Sequence, residues 1–261
     1  MSHDTLGDRM KAYEVASRTT LPGRLPVIIR VDGKAFHTYT KGTDRPFDMY
    51  LGDVMVDTAK KLCEEIQGAQ LAYTQSDEIS ILVHGYKKFE SQPWFDNQVQ
   101  KMVSVAAGIA SSHFTANSWK IVCRGAKTVV DNLKPAVFDA RVFVLPEADV
   151  CNYFLWRQQD ATRNSVQMLA RSLYSHKQVE NNNTSKLKEM CAEKGQPWDD
   201  LPTRWKRGVC VIKGEELLPI GGQLANSLKS ATRTRWIPDY QIPVFSQDRE
   251  YVNKYLAVEE E

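Results

Sequence analysis

The spacing of apolar residues along this 261-residue chain changes between the period of a strand and the period of a helix. Residues 27–31 form a short β-branched apolar run, which predicts a strand buried on both faces. Residues 51–66 carry apolar side chains at alternating steps of three and one, which predicts an amphipathic helix of about five turns. Residues 70–84 alternate instead, which predicts a β-hairpin with its turn at residues 75–78.

A second amphipathic helix follows the hairpin, with its apolar positions between residues 99 and 110. Residues 137–145 then predict another strand. The resulting order is β-α-β-β-α-β, the split βαβ arrangement of ferredoxin-like folds. We therefore predict an α+β protein with a ferredoxin-like sheet that carries its helices on one face.

The second half of the chain has a different pattern. A long helical stretch is predicted at residues 147–174, and two strand-like runs are predicted near residues 208–213 and 232–237. We predict a catalytic region at residues 1–146 and a helical, basic C-terminal region at residues 147–261 that continues the same domain.

Composition narrows the class of protein. The 42% hydrophobic and 25% charged residues are ordinary for a soluble globular protein, and a net charge of +2 does not by itself indicate nucleic acid. The five cysteines include no Cys-x-x-Cys pair, so neither a zinc site nor a disulfide framework is predicted. Without a signal peptide or a run of about 18 apolar residues, we expect a cytoplasmic protein with no membrane partner.

Two carboxylates are predicted to meet at one edge of the sheet. Asp32 ends the first strand and Asp77 follows the second. A helix connects these two strands, so they should run parallel, with their carboxyl ends at the same edge. Paired carboxylates suit Mg²⁺, and two such ions can stabilise an in-line phosphoryl displacement. The alternative is that both turns are ordinary solvated loops.

Backbone and side-chain donors around these acids could bind a triphosphate. Glycine allows a tight turn, so peptide N–H groups after the first strand can line up on phosphate. The candidate phosphate ligands in that segment are Gly33, Lys34, Ala35, Phe36 and His37. Ser76 is a further candidate donor, and Lys41 and Lys101 join Lys34 as candidate phosphate neutralisers.

Several segments together resemble one protein family. Residues 30–37 (Arg-Val-Asp-Gly-Lys-Ala-Phe-His) and 73–80 (Tyr-Thr-Gln-Ser-Asp-Glu-Ile-Ser) resemble the two catalytic motifs of the tRNA-histidine guanylyltransferases. Further matches lie at residues 138–141, 152–158 and 206–210, so the resemblance covers nearly the whole chain. It implies a palm-like catalytic domain, similar to that of ordinary polymerases, that adds nucleotides in the 3′-to-5′ direction.

The resemblance also implies roles for individual residues. Asp32, the Gly33 carbonyl and Asp77 would bind two Mg²⁺ ions, and residues 33–37 with Ser76 and Asp77 would bind the nucleotide. Glu78 matches the neighbouring catalytic acid, which could orient a metal-bound water or Asp77 itself. The implied substrates are ATP, GTP or another nucleoside triphosphate, and the 5′ end and acceptor stem of tRNA. The implied assembly is a homotetramer built as a dimer of dimers.

One segment departs from the family pattern. Residues 162–165 read Thr-Arg-Asn-Ser, where members that modify histidine tRNA have His-Ile-Asn-Asn. The chain is therefore more similar to the guanylyltransferase-like branch, which repairs 5′-truncated tRNA against the opposite strand and uses ATP to activate 5′-monophosphate ends. The alternative is a histidine-tRNA-specific guanylyltransferase that adds the G(−1) nucleotide.

The C-terminal region offers a basic surface for RNA. Residues 201–236 interleave basic residues with Trp205 and Trp236, a combination suited to phosphates and bases. The alternative is a solvated basic face beside core tryptophans. This basic region argues against a palm-domain nucleotide cyclase, and the intact acids argue against a non-catalytic RNA-binding protein. The basic residues are Arg204, Lys206, Arg207, Lys213, Lys229, Arg233 and Arg235, and the predicted long helix adds Arg157, Arg163 and Arg171.

Overall fold

The computed structural model of the protein describes residues 5–86, 91–123, 134–220 and 229–256. Two short 3₁₀ turns, at Trp94–Asn97 and Trp198–Asp200, accompany the regular elements. In chain order the helices and strands are α1 Thr5–Ala16, β1 Val27–Gly33, α2 Phe36–Tyr39, α3 Met49–Glu65, β2 Ala69–Gln75, β3 Glu78–Val83, α4 Val99–Cys123, β4 Phe138–Val144, α5 Glu147–Leu173, α6 His176–Val179, α7 Thr184–Glu193, α8 Thr203–Arg207, β5 Val209–Ile220, β6 Lys229–Asp239 and α9 Glu250–Asn253.

The strands form one six-stranded sheet in the order β4-β1-β3-β2-β5-β6. Both β1 and β2 pair antiparallel with β3, which lies between them. They therefore run parallel to each other, and their carboxyl ends share one edge of the sheet. The predicted β-α-β-β-α-β unit and its shared edge are confirmed.

The two faces of the sheet have separate cores. Val27, Ile29 and Val31 point to the face covered by α3 and α4, where they join the larger cluster of buried side chains. Ile28, from the same strand, points to the other face and packs in a cluster with Phe154 of α5. The prediction of helices on one face holds for the β-α-β-β-α-β unit alone, because α5 covers the second face.

The C-terminal region contributes strands to the same sheet. Residues 209–212 of β5 pair with β2, and the rest of β5 continues as a long antiparallel hairpin with β6. The predicted strand-like runs were too short, because the hairpin beyond its pairing with β2 lacks the apolar alternation of a half-buried strand. In the ranges that the structure describes, no helix has the length and apolar character needed to cross a membrane.

Candidate active site

The turn after β1 is shaped by its packing. Ala35, rather than Gly33, adopts the left-handed conformation, with φ 53° and ψ 39°. A Cβ atom added to Gly33 would lie 2.3 Å from Cδ2 of Phe36, so Gly33 is required for the close approach of this ring. The ring is buried against Phe114 and Phe138, at centroid distances of 5.3 and 5.0 Å. Glycine is therefore needed here for space, whereas the sequence suggested that it was needed for the turn itself.

Backbone hydrogen bonds hold this turn beside the β2–β3 turn. The Gly33 N–H donates to the Asp77 carbonyl at 3.0 Å, and the Lys34 N–H donates to the Val137 carbonyl at 2.8 Å. Within α2 the Thr38 and Tyr39 N–H groups donate to the Ala35 carbonyl at 2.9 and 3.2 Å. The N–H groups left for a phosphate at the start of this helix are therefore those of Phe36 and His37. Successive N–H groups of this kind are suited to binding phosphate oxygens.

The two predicted carboxylates lie close enough to interact electrostatically. Burial raises the pKa of the Asp77 carboxyl group and the charge of Asp32 raises it further, while the Ser76 hydrogen bond and the charge of Arg30 lower it. The Ser76 hydroxyl donates to Oδ1 of Asp77 at 3.0 Å, and Ser76 itself occupies the left-handed region with φ 51°. The structure thus brings Asp32, Ser76 and Asp77 together at the edge of the sheet.

Glu78 lies behind this edge, on the α5 side of the sheet. Its carboxylate is 2.7 Å from the Arg30 guanidinium and 2.8 Å from that of Arg157, and its side chain is only 6% exposed. Arg30 also contacts Oδ2 of Asp32 at 2.8 Å, and Arg157 contacts Asp160 at 3.1 Å. Glu78 therefore reaches Asp32 through Arg30, within a chain of alternating charges.

A cavity of about 630 Å³ opens over the β1–α2 and β2–β3 turns. Its other walls come from the loop before α3, the second half of α5, and the α8–β5 junction. The predicted site residues that line it are Gly33, Ala35, Phe36, His37, Ser76 and Asp77.

The predicted lysines do not line this cavity, and within the described ranges its lining includes no lysine. Lys34 and Lys41 are exposed. Lys101 lies in the first turn of α4, with its ammonium 6.0 Å from the Phe95 ring. Phe114, which packs on the site, follows thirteen positions later, about 20 Å along the helix. The structure does not bring Lys101 to the site.

Arginines supply the positive charge of the cavity. Its lining includes Arg45, Arg171 and Arg204. Sequence reasoning placed Arg171 and Arg204 among possible RNA contacts and missed Arg45. The sequence signal that could have drawn attention to the Arg45 loop was Asp48, a residue type that favours a helix start. Asp48 caps α3 by accepting from the Leu51 N–H at 3.0 Å, and so it fixes the loop that precedes the helix.

Both tryptophans of the basic stretch are used in packing. Trp205 stacks on Phe47 with ring centroids 5.0 Å apart and planes 8° apart, and the Arg204 guanidinium lies 4.7 Å from its centroid. Trp236 packs against the α3–α4 core, with the Lys213 ammonium 5.2 Å from its ring. The basic face beside packed tryptophans is the arrangement observed. The side chain of Lys229 lies outside the described residues.

The segment that departs from the family motif is anchored at both ends. The Thr162 hydroxyl donates to the Lys206 carbonyl at 3.1 Å. The indole N–H of Trp198 donates to the buried Ser165 hydroxyl at 2.9 Å. Asn164, between them, lines the cavity. Two of the substituted positions therefore serve contacts between α5 and residues 198–206.

The acidic residues fit a metal that is bound together with a phosphate. Among the described residues, no three His, Cys, Asp or Glu side chains form a group that could hold a metal ion. Mg²⁺ commonly takes one or two carboxylates and completes its shell with substrate phosphates and water. Asp32, Asp77 and the Gly33 carbonyl offer hard oxygen ligands of that kind, so the residues present fit Mg²⁺ that binds with a nucleotide.

Known proteins are similar to this chain in sequence and in fold. A sequence model of the family described as Thg1, tRNAHis guanylyltransferase, matches residues 7–146. A bacterial tRNA(His) guanylyltransferase (Thg1)-like protein in complex with ATP is similar, with 42% identity, a TM-score of 0.83, and coverage of 97% of this chain and 100% of that one. Such a protein in complex with GTP has 41% identity and a TM-score of 0.79, with coverage of 97% and 99%.

A curated relative extends the comparison to eukaryotes. The tRNA(His) guanylyltransferase of Debaryomyces hansenii is 30% identical over 143 residues, which is 54% of this chain. The aligned region spans 51% of that protein, or about half of its length. The similarity to the bacterial Thg1-like structures is both higher and more extensive.

Proposed function

This chain belongs to the tRNAHis guanylyltransferase (Thg1) family of nucleotidyltransferases, and on that basis we propose that it adds nucleotides to the 5′ end of tRNA in the 3′-to-5′ direction. The observation that carries the proposal is the pair of carboxylates, Asp32 and Asp77, at one sheet edge. The cavity beside them is lined by residues 33 and 35–37 and by Ser76. This combination provides metal ligands and phosphate donors around one substrate volume.

We assign Asp32, the Gly33 carbonyl and Asp77 as the ligands of two Mg²⁺ ions. Such ions would stabilise the attacking and leaving oxygens of an in-line displacement. The N–H groups of Phe36 and His37 would bind the triphosphate, and the Ser76 hydroxyl would join them by turning its hydrogen bond from Asp77 to phosphate. Glu78, buried between two arginines, would keep Asp32 in place through Arg30.

The proposed reaction has two displacements at phosphorus. An oxygen of the RNA 5′-monophosphate attacks the α-phosphorus of ATP, and pyrophosphate leaves. The 3′-hydroxyl of the incoming nucleotide, such as GTP, then attacks the activated 5′-phosphorus, and AMP leaves. A 5′-triphosphate end already carries a leaving group, so it does not need the first step. Similar bacterial structures in complex with ATP and GTP support two nucleotide substrates.

We further propose that the preferred substrate is a 5′-truncated tRNA. Residues 162–165 lack most of the histidine-tRNA motif, and Thr162 and Ser165 are committed to internal hydrogen bonds. Selection would then rest on pairing between the incoming nucleotide and the opposite strand. An unpaired, desolvated base edge costs roughly 1–3 kcal/mol, which corresponds to about 5- to 150-fold in rate.

The test is nucleotide addition to matched transcripts. Labelled nucleoside triphosphates are incubated with tRNAs that are intact or lack their first nucleotide, each with a histidine or another anticodon. We expect truncated transcripts to be extended about tenfold faster or more, whatever the anticodon. An intact histidine tRNA that wins by a similar factor and loses this lead on anticodon exchange would establish the G(−1)-adding activity instead.

We also propose a homotetramer, on the resemblance to the family alone. A mass measurement in solution tests it against the 29.7 kDa of one chain.

A further inference from the structure

One face of α5 forms a wall of the cavity. Asn164, Met168 and Arg171 are spaced by four and three positions, which places them in a line on one side of a helix. All three line the same cavity as the β1–α2 and β2–β3 turns. We call these three residues the α5 wall.

The α5 wall extends away from the carboxylate edge. Arg157 marks where α5 passes that edge, because its guanidinium contacts Glu78 at 2.8 Å. Arg171 follows fourteen positions later, about 21 Å along the helix axis. Arg171 is therefore placed to bind a different anion from the phosphates held at Asp32 and Asp77.

The positive charge of Arg171 is not neutralised within the part of the chain that the structure describes. Two other arginines nearby have acidic partners: Arg163 pairs with Asp160, and Arg204 pairs with Asp53 at 2.7 Å. Arg171 is exposed and has no acid within ion-pair distance among the described residues. An exposed guanidinium of this kind suits bidentate contact with phosphate.

The rest of the α5 wall suits the remainder of a nucleotide. Met168 is a large apolar side chain that is 40% exposed and lines the cavity, so it offers a surface for a ribose or a base. Asn164 uses its amide N–H₂ in a long contact of 3.4 Å with Asp160, and its carbonyl oxygen can accept from a base edge or a 2′-hydroxyl.

We propose that Asn164, Met168 and Arg171 bind the RNA strand next to its reacting 5′ end, with Arg171 on a phosphate. This inference rests on the proposed function and deepens it, because it assigns the α5 wall to the RNA and the two turns to the triphosphate. The phosphate is one further along the strand, because the reacting 5′-terminal phosphate would lie at Asp32 and Asp77.

The test compares Arg171→Ala with Lys177→Ala in the full chain. Lys177 is an exposed cation in α6 that does not line the cavity, so its removal controls for the loss of one charge. The RNA probe is a tRNA lacking its first nucleotide, carrying either a 5′-monophosphate or a 5′-hydroxyl. Its Kd is measured by fluorescence anisotropy across a salt series, and the Kd for ATP is measured without RNA.

We expect Arg171→Ala to weaken RNA binding about tenfold and to reduce the slope of log K against log salt by about one. ATP binding should not change, and Lys177→Ala should stay within about twofold of the wild type for both ligands. Arg171→Lys should retain the salt slope and lose part of the affinity, because lysine keeps the positive charge but lacks the planar guanidinium that makes bidentate hydrogen bonds. The loss should be equal with the 5′-monophosphate and the 5′-hydroxyl probes, and a loss confined to the 5′-monophosphate probe would contradict this placement of Arg171.

Two results would overturn the assignment of the α5 wall. If RNA affinity is unchanged in Arg171→Ala, or falls equally in Lys177→Ala, the wall does not bind RNA. If ATP affinity falls while RNA affinity holds, the wall belongs to the nucleotide site. In both cases the wild-type protein still extends tRNA, so the proposed function stands. A wild-type protein that neither binds nor extends tRNA would instead refute the proposed function together with this inference.

Discussion

Substitution of Gly33 by alanine tests whether ring packing sets the geometry of the nucleotide turn. The added Cβ would lie 2.3, 2.6 and 2.7 Å from Cδ2, Cε2 and Cγ of Phe36. Ordinary carbon contacts are about 3.5–4.0 Å, so the ring or the backbone must move by at least about 1 Å. The Phe36 ring is held by Phe114, Phe138 and Tyr39, with the Tyr39 centroid 5.1 Å away, so it has little room to move.

The expected magnitude follows from overpacking. Forcing a methyl group into a well-packed core costs typically 1–3 kcal/mol. For a chain of this size, each kcal/mol lowers Tm by roughly 2–4 °C. A displacement of about 1 Å in a substrate-positioning turn can also cost about 100-fold in rate. We therefore expect Gly33→Ala to slow nucleotide addition by about 100-fold, while its free energy of unfolding falls by only about 1–3 kcal/mol.

A matched control and a double-mutant cycle make the test specific. A Cβ at Gly23 meets nothing within 4 Å, so Gly23→Ala should be near neutral in both assays. Phe36→Ala removes Cγ, Cδ2 and Cε2, the three atoms that the new methyl group meets. Gly33→Ala should therefore cost less in that background, with a coupling of about 1 kcal/mol or more. Stability is followed by urea unfolding. Strictly additive costs, or a Gly33→Ala variant as active as Gly23→Ala, would refute the packing argument.

Three further predictions concern the charged groups. Asp32→Ala and Asp77→Ala should each abolish nucleotide addition and leave the unfolding midpoint nearly unchanged, because neither side chain contributes to the core. If either variant keeps more than a few per cent of the wild-type rate at saturating Mg²⁺, its assignment as a metal ligand is wrong. Glu78→Ala should destabilise the protein in urea unfolding by less than the roughly 3–5 kcal/mol that is typical of a fully broken buried pair, because Arg30 keeps Asp32 and Arg157 keeps Asp160. Glu78→Gln should cost less still, and equal stability of Glu78→Ala and wild type would show that the charge chain is not structural. Removing four charges of the basic stretch should weaken tRNA binding more than ATP binding and should flatten the salt dependence of tRNA binding. The four residues are Lys206, Arg207, Arg233 and Arg235. An unchanged salt slope would exclude this stretch from the RNA surface.

Local sequence pattern was sufficient for the order of elements and for the position of the two acids. The spacing of the apolar residues identified β1, α3, the β2–β3 hairpin and α4, because the helices bury one apolar stripe and the central strands are apolar on both faces. The rule for connecting strands through a helix then placed Asp32 and Asp77 at the same edge. Neither step needs information about distant parts of the chain.

Only the tertiary structure decided what surrounds those acids. Glu78 and Arg157 are 79 positions apart, and their contact exists because α5 covers the second face of the sheet. The predicted Lys101 lies at the distant end of α4, and Arg45 with other arginines supplies the charge of the cavity instead. Sequence periodicity shows which face of an element is apolar, but it does not show which distant element packs there. The partners of a charged side chain are set by that packing, and so they could be assigned only from the folded chain.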